Sequence, residues 1–187
     1  VRLVIVFGGR PQIDAALEKN KIESSFYQSL RITEACMVPH VLEAYGRLRS
    51  ELEAKLSTGV INSPMYGSKI SVVSGNFIMA RPHGVVDGVD FGLTGHVRSI
   101  DVKAITHHSE QDSIVLIPAV GYSMSGDIFN LSYEELAGDI AVQLNANKVV
   151  FFGSENGLKN QQGHLVQQLT VEQALACTQD MWPETTG

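Results

Sequence analysis

Few side chains in this sequence combine the type and spacing that chemistry needs. The first set is Gly8-Gly9-Arg10, a double glycine followed by a guanidinium, directly after the aliphatic run Leu3 to Phe7. Backbone N–H groups at such a junction, with the positive end of a following helix, can meet a phosphate or a carboxylate. A double glycine is equally a plain packing turn, and neither GxGxxG nor GxxxxGK[ST] occurs in the chain. Arg31 can grip a carboxylate with both arms of its fork, or lie exposed with no such role. Asn130 and Glu134 flank Ser132, where they would reach into a crevice or decorate a solvated first turn. Asp87 and Asp90 share a glycine-rich loop with the wrong spacing for a calcium loop, which makes them paired surface carboxylates. His107-His108 has neither an HExxH nor a CxxC partner, so no metal is expected. There is no GxSxG elbow, and no catalytic residue is assigned within these residues.

The elements that must position these groups can be read from hydrophobic period and punctuation. Leu3 to Phe7 has the unbroken aliphatic character of a strand buried on both faces of a mainly parallel sheet. Pro11 sits where a first helical turn tolerates proline, and Ile13, Ala16 and Leu17 recur at helical spacing. Lys19 to Gln28 is a polar stretch. Thr33 then caps a long amphipathic helix with Val38, Val41, Leu42, Tyr45, Leu48, Leu52 and Leu56 on one stripe, its start bent by Pro39. From Lys69 the period changes. Ile70, Val72, Val73 and Phe77 to Met79 favour strands around a turn at Gly75-Asn76, followed by the excursion Gly84 to Gly95. Val97 to Ile100 and Ser113 to Ile117 read as strands separated by a helix near Val102 to His108. Ser132-Tyr133-Glu134-Glu135 matches a capping box, with Leu136, Ile140, Ala141 and Leu144 as the apolar face behind it. Val149 to Phe152 reads as a further buried strand, Thr170 to Ala176 as a helix, and Trp182 to Gly187 as a loose end.

Alternation of this kind predicts an α/β sandwich with a mainly parallel sheet. Ligands of such sheets collect at the carboxyl ends of the strands, so Gly8-Gly9 and the loops after Ile117 and Phe152 are expected to share one crevice. Composition sets the outer bounds. The 187 residues, 44 % hydrophobic and 18 % charged, suit one domain with a core. Fourteen Lys and Arg against 20 Asp and Glu give a net charge of −6, which argues against a phosphate-backbone partner and so against nucleic acid. The apolar runs are too short for a membrane span, and two isolated cysteines, Cys36 and Cys177, fit a reducing compartment, hence a cytoplasmic protein. The chain opens on Val1 in the middle of a strand pattern, which suggests truncation.

Five strings fall in one order: Phe7-Gly8-Gly9-Arg10-Pro11-Gln12-Ile13-Asp14, Leu30-Arg31-Ile32-Thr33, Val72 to Ile78, Asp87-Gly88-Val89-Asp90, and Phe129-Asn130-Leu131-Ser132-Tyr133-Glu134-Glu135. Together they resemble the amino-acid-kinase-like domain of bacterial N-acetylglutamate synthase over nearly the whole chain. The resemblance implies a three-layer αβα sandwich of the amino acid kinase (carbamate kinase-like) fold, truncated at both ends. Residues 1–187 would then be a partial domain, with the acetyltransferase domain outside them. It implies a regulatory part of an enzyme that acetylates glutamate from acetyl-CoA in arginine biosynthesis, with arginine as effector, self-association into a dimer or higher oligomer, and no cofactor bound by this chain.

The related N-acetylglutamate kinase is the natural competitor, and individual positions separate the two. Where the kinase has a third glycine, this chain has Arg10. Where it has Asn and Asp in its helix-entry motif, this chain has Ser132 and Glu134, and where it has Asp after a later strand, this chain has Ser154. Asn130 and Arg31 match. ATP is therefore not expected to bind, and Gly8, Gly9, Arg10, Arg31, Asn130 and Glu134 would line a vestigial crevice. A bare ligand-binding or assembly module is the third possibility.

Overall fold

A computed structural model describes residues 2–57, 67, 70–153, 157–160 and 162–177. The chain forms two compact units, Val1–Val149 and Val150–Gly187.

In the first unit, β1 (Val4–Phe7) is hydrogen-bonded in parallel to β9 (Ile114–Pro118), with Val4 beside Val115 and Phe7 beside Pro118. On the other side of β9 lies β4 (Val72–Val73), also parallel, so the order is β1-β9-β4. The central strand has the expected two-faced burial: Val115 and Leu116 are both 0 % exposed. β1 has one neighbour among the described strands, and Val4 to Val6 are only half-buried.

The second sheet is mixed. β5 (Ile78–Pro82) runs antiparallel to β8 (Gly95–Ile100) and parallel to β10 (Val120–Tyr122), which turns back into β11 (Ile128–Asn130), giving the order β11-β10-β5-β8. The antiparallel pairings sit in this sheet and in two hairpins, while the three-stranded sheet is parallel throughout.

Helices lie against both sheets. α1 (Arg10–Lys19) carries Pro11 in its first turn, where a missing N–H costs nothing, and buries Ile13 and Leu17. α2 (Val38–Ser57) packs on α1 and on β4, β9 and β11 through Val41, Ala44 and Tyr45. α3 (Val102–Glu110) is capped by the Asp101 carboxylate, which accepts the Ala104 N–H, and packs on β9. α4 (Tyr133–Gln143) packs on β1 and β8, with Leu136 and Ile140 inside.

The structure departs from the sequence reading in four places. Thr33 caps no helix: it is fully buried and bridges to Gly92, while a 3-10 turn (Ala35–Met37) leads into α2, whose first turn contains Pro39. The polar stretch Lys19 to Gln28 contains β2 (Ser25–Tyr27), which pairs antiparallel with β3 (Leu30–Ile32). Its two-residue turn places Gln28 and Ser29 at φ of 47° and 67°, a geometry normally marked by glycine or asparagine, which is why no hairpin signal was visible. The excursion after Gly84 holds the hairpin β6 (Val85–Val86) and β7 (Val89–Asp90), turning at Asp87-Gly88. Val149 to Phe152 is not a strand. All four side chains are exposed, Phe152 to 91 %, because no described strand pairs with them.

In the second unit, α5 (Val171–Cys177) forms as expected. Thr170 and Gln173 close a reciprocal capping box, the Gln173 N–H donating to Thr170 Oγ1 and the Thr170 N–H to Gln173 Oε1. The expected loose end after Trp182 lies outside the described residues.

Candidate functional site

A crevice with a cavity of about 490 Å³ opens where β1 hands over to α1. Gly8, Gly9 and Arg10 form its floor, the β2–β3 hairpin from Gln28 to Arg31 one side, and Asn130 to Glu135 at the start of α4 the other. His83 and Thr94 complete the wall. The segment after Ile117 runs straight into β10 and does not line it, so the expected contribution of that loop is replaced by the β11–α4 connection. Phe152 belongs to the other unit, and Ser154 lies outside the described residues.

Each sequence-derived candidate has a definite local reason for its position. A Cβ on Gly8 would lie 2.6 Å from Cδ1 of the Tyr133 ring, and one on Gly9 would lie 3.2 Å from the Tyr45 ring. Packing against Tyr133 therefore demands glycine at position 8, while position 9 is tight, and both line the crevice. Burial pushes the Tyr45 hydroxyl far above the usual phenol range, against the opposing pull of a Gly9 backbone hydrogen bond and the Arg31 charge.

Arg31 is neither exposed nor free. Strand alternation in Leu30-Arg31-Ile32 turns it inward to 6 % exposure, and an inward guanidinium needs partners. Asp14 of α1 accepts from Nη2 at 2.5 Å, Ser24 Oγ accepts from Nη1, and the Phe26 ring lies 4.6 Å away beneath the guanidinium carbon. The carboxylate that Arg31 holds is thus an internal one. Arg10 stays exposed at the mouth, donating from Nη2 to the Ser29 carbonyl at 2.6 Å, with its guanidinium carbon 4.8 Å from the centre of the same Phe26 ring.

Asn130 donates from Nδ2 to Thr33 Oγ1 at 3.2 Å, and the Thr94 hydroxyl lies 2.9 Å from the same oxygen. Ser132 is a true cap: its Oγ accepts the Glu135 N–H at 3.3 Å and its hydroxyl donates to Glu134 at 3.0 Å. A hydrogen bond to Glu134, then burial and the Glu134 charge, raise the Tyr133 phenol above its ordinary range, with Arg10 opposing. Glu135 reaches His96 Nδ1 at 3.3 Å. Asp87 accepts from the Tyr27 hydroxyl of β2 at 3.1 Å, tying two hairpins together, and Asp90 accepts from the Gly92 N–H within its own loop. No group of three metal-ligating side chains occurs among the described residues, His107 and His108 included. His83, Thr94 and His96 belong to no motif; only their convergence in space singles them out.

A parallel β-sheet whose first strand passes through glycines into a helix, with a crevice at the strand's carboxyl end, defines an α/β protein of the ligand-binding sheet type. The family model described as "Amino acid kinase family" matches residues 1–183, and the chain belongs to that family. It is 47 % identical over 176 residues to an amino-acid acetyltransferase of Ectopseudomonas mendocina (strain ymp), covering 94 % of this chain and 41 % of that protein. The crystal structure of N-acetylglutamate synthase from Neisseria gonorrhoeae complexed with coenzyme A and L-arginine superposes with a TM-score of 0.88 at 30 % identity. That match covers 96 % of this chain and 42 % of the other. The same Neisseria enzyme complexed with coenzyme A and N-acetyl-glutamate gives a TM-score of 0.85, with 96 % and 40 % covered. The chain therefore spans about two fifths of the length of these relatives.

Proposed function

We propose that this chain is the amino-acid-kinase-like part of an N-acetylglutamate synthase, an enzyme that transfers the acetyl group of acetyl-CoA to glutamate in arginine biosynthesis. In that protein it acts as a regulatory and assembly domain, with arginine as effector. The observation that carries the reading is the match at 47 % identity to an amino-acid acetyltransferase, extending over 94 % of these residues.

The crevice chemistry supports a domain that no longer transfers phosphate. Phosphoryl transfer depends on cations and backbone donors poised around a polyphosphate. Here Arg31 is neutralised by Asp14, Arg10 is engaged with Ser29, no lysine lines the crevice among the described residues, and Glu134 and Glu135 add negative charge at the mouth. Gly8, Gly9, Arg10, Arg31, Asn130 and Glu134 would then be a frame left by a substrate site. The protein would work in the cytoplasm as a dimer or higher oligomer, without nucleic acid or membrane as partner.

The full reading frame, incubated with glutamate and acetyl-CoA, should release free coenzyme A thiol at a glutamate-dependent rate that arginine alters. No thiol release above background would refute the assignment.

A further inference from the structure

Two residues lining the crevice, His83 and Glu135, are joined through a third, His96. His83, just after β5, and His96, in β8, have ring centroids 4.1 Å apart, and His83 also packs on Phe91 at 4.1 Å. The His83 N–H donates to the Thr94 carbonyl, which fixes its backbone. Its Nδ1 is shut off from solvent and has no hydrogen-bond partner. His96 turns its own Nδ1 toward Glu135 at 3.3 Å, and Glu135 is the residue whose N–H closes the Ser132 cap of α4. Three side chains thus join the four-stranded sheet to the first turn of α4.

We propose that His83, His96 and Glu135 form a proton-operated clasp between this sheet and α4, shut while His83 is neutral and opened when it takes a proton. The inference concerns these residues alone and stands whether or not the functional assignment above holds. Two geometric facts support it. A proton on Nδ1 would place a donor where no acceptor exists, and a buried unpaired donor is costly. His83 and His96 also stack at 4.1 Å, so the two rings disfavour carrying a proton each at the same time. The remaining titratable or charged groups lining the crevice are Arg10, Arg31, Tyr45, Tyr133 and Glu134, with Asp14 paired to Arg31 and Arg81 beside His96 in the β5–β8 register. In agreement, loss of hydration and then the His96 charge lower the affinity of His83 for a proton, with Glu135 opposing.

The sign follows. A histidine that binds its proton less readily folded than unfolded contributes stability that is complete above the unfolded value of about 6.5. That stability is lost as pH falls through the lower folded value.

Nuclear magnetic resonance of the protein, labelled at histidine Cε1 and backbone nitrogen and titrated from about pH 8 to about pH 5, tests this in the range where histidine changes charge. The expected result is a His83 midpoint below about 6.5, with the Glu135 amide moving at that same midpoint. His96→Gln should raise the His83 midpoint, and His83→Phe, which keeps a ring against Phe91, should abolish the Glu135 transition and flatten the acid branch of thermal stability. A His83 midpoint at or above about 6.5, or a Glu135 amide indifferent to it, would overturn the clasp. Should His83→Phe fail to fold, the unmutated protein and His96→Gln decide the question alone.

Discussion

Arg31 shows how far residue type alone can lead. From sequence its fork could hold a ligand carboxylate or lie idle in solvent; the structure gives it a carboxylate from its own chain, Asp14, on a helix about one and a half turns beyond the double glycine. What the sequence lacked was the orientation of a three-residue strand, which turns Arg31 inward, and the hairpin itself was hidden by a turn built without glycine. Removing Asp14 leaves a buried guanidinium short of an acceptor. Because the carboxylate is 47 % exposed, Asp14→Ala is expected to cost about 1 to 3 kcal/mol, seen as a lower urea midpoint at unchanged slope. Arg31→Lys should cost about as much, since one ammonium cannot serve Asp14 and Ser24 while lying flat on Phe26. Gly8 is the second residue-scale case. Gly8→Ala is expected to destabilise by about 1 to 3 kcal/mol through overpacking against Tyr133, and Tyr133→Ala in the same molecule should recover part of that loss in a double-mutant cycle.

Elements were legible wherever a strong periodic pattern met an ordinary cap. β1, α1, β9, α3 and α4 lie within a residue or two of their sequence-derived bounds because aliphatic runs, Pro11 and Ser132 mark them. Errors came where tertiary structure overrode local signals. Thr33 has the right chemistry for a cap, yet its backbone pairs with Gly92 and its hydroxyl meets Asn130 and Thr94 in the interior. Val149 to Phe152 has strong strand propensity and no described partner to pair with. The contrast can be measured. Ser132→Ala should cost about 1 kcal/mol, as an ordinary cap does. Thr33→Val keeps the shape but strands the Asn130 amide, so a loss of about 1 to 3 kcal/mol is expected in the same unfolding assay.

At the scale of the molecule, α2 offers little apolar surface to a second copy. Its inward stripe is largely used within the unit: Val41, Ala44 and Tyr45 are buried, and Leu42, at 37 % exposure, is its one large apolar side chain counted as exposed. The self-association proposed above is expected to persist at micromolar concentration, and light scattering that returns the mass of a single chain would refute it. The family and the outline of the crevice were accessible from five short strings in order, because those strings sit at the β1–α1, β3, β4–β5, β6–β7 and β11–α4 junctions. The crevice's internal pairings were not, since Arg10 with Ser29, or His96 with Glu135, joins residues far apart in sequence with no motif between them.

We propose above that this amino acid kinase fold serves an acetyltransferase and has given up phosphoryl transfer. Thermal unfolding of the full reading frame with Mg-ATP, followed by an assay for ADP on adding N-acetylglutamate, tests it most directly. A ligand at 100 times its Kd stabilises a fold by about 2.7 kcal/mol, and each kcal/mol raises Tm by roughly 2 to 4 °C at this domain size. Binding would therefore lift the transition of this domain by about 5 to 11 °C. The account predicts no such shift and no ADP. A clear shift together with N-acetylglutamate-dependent ADP would contradict it and make the chain a working kinase.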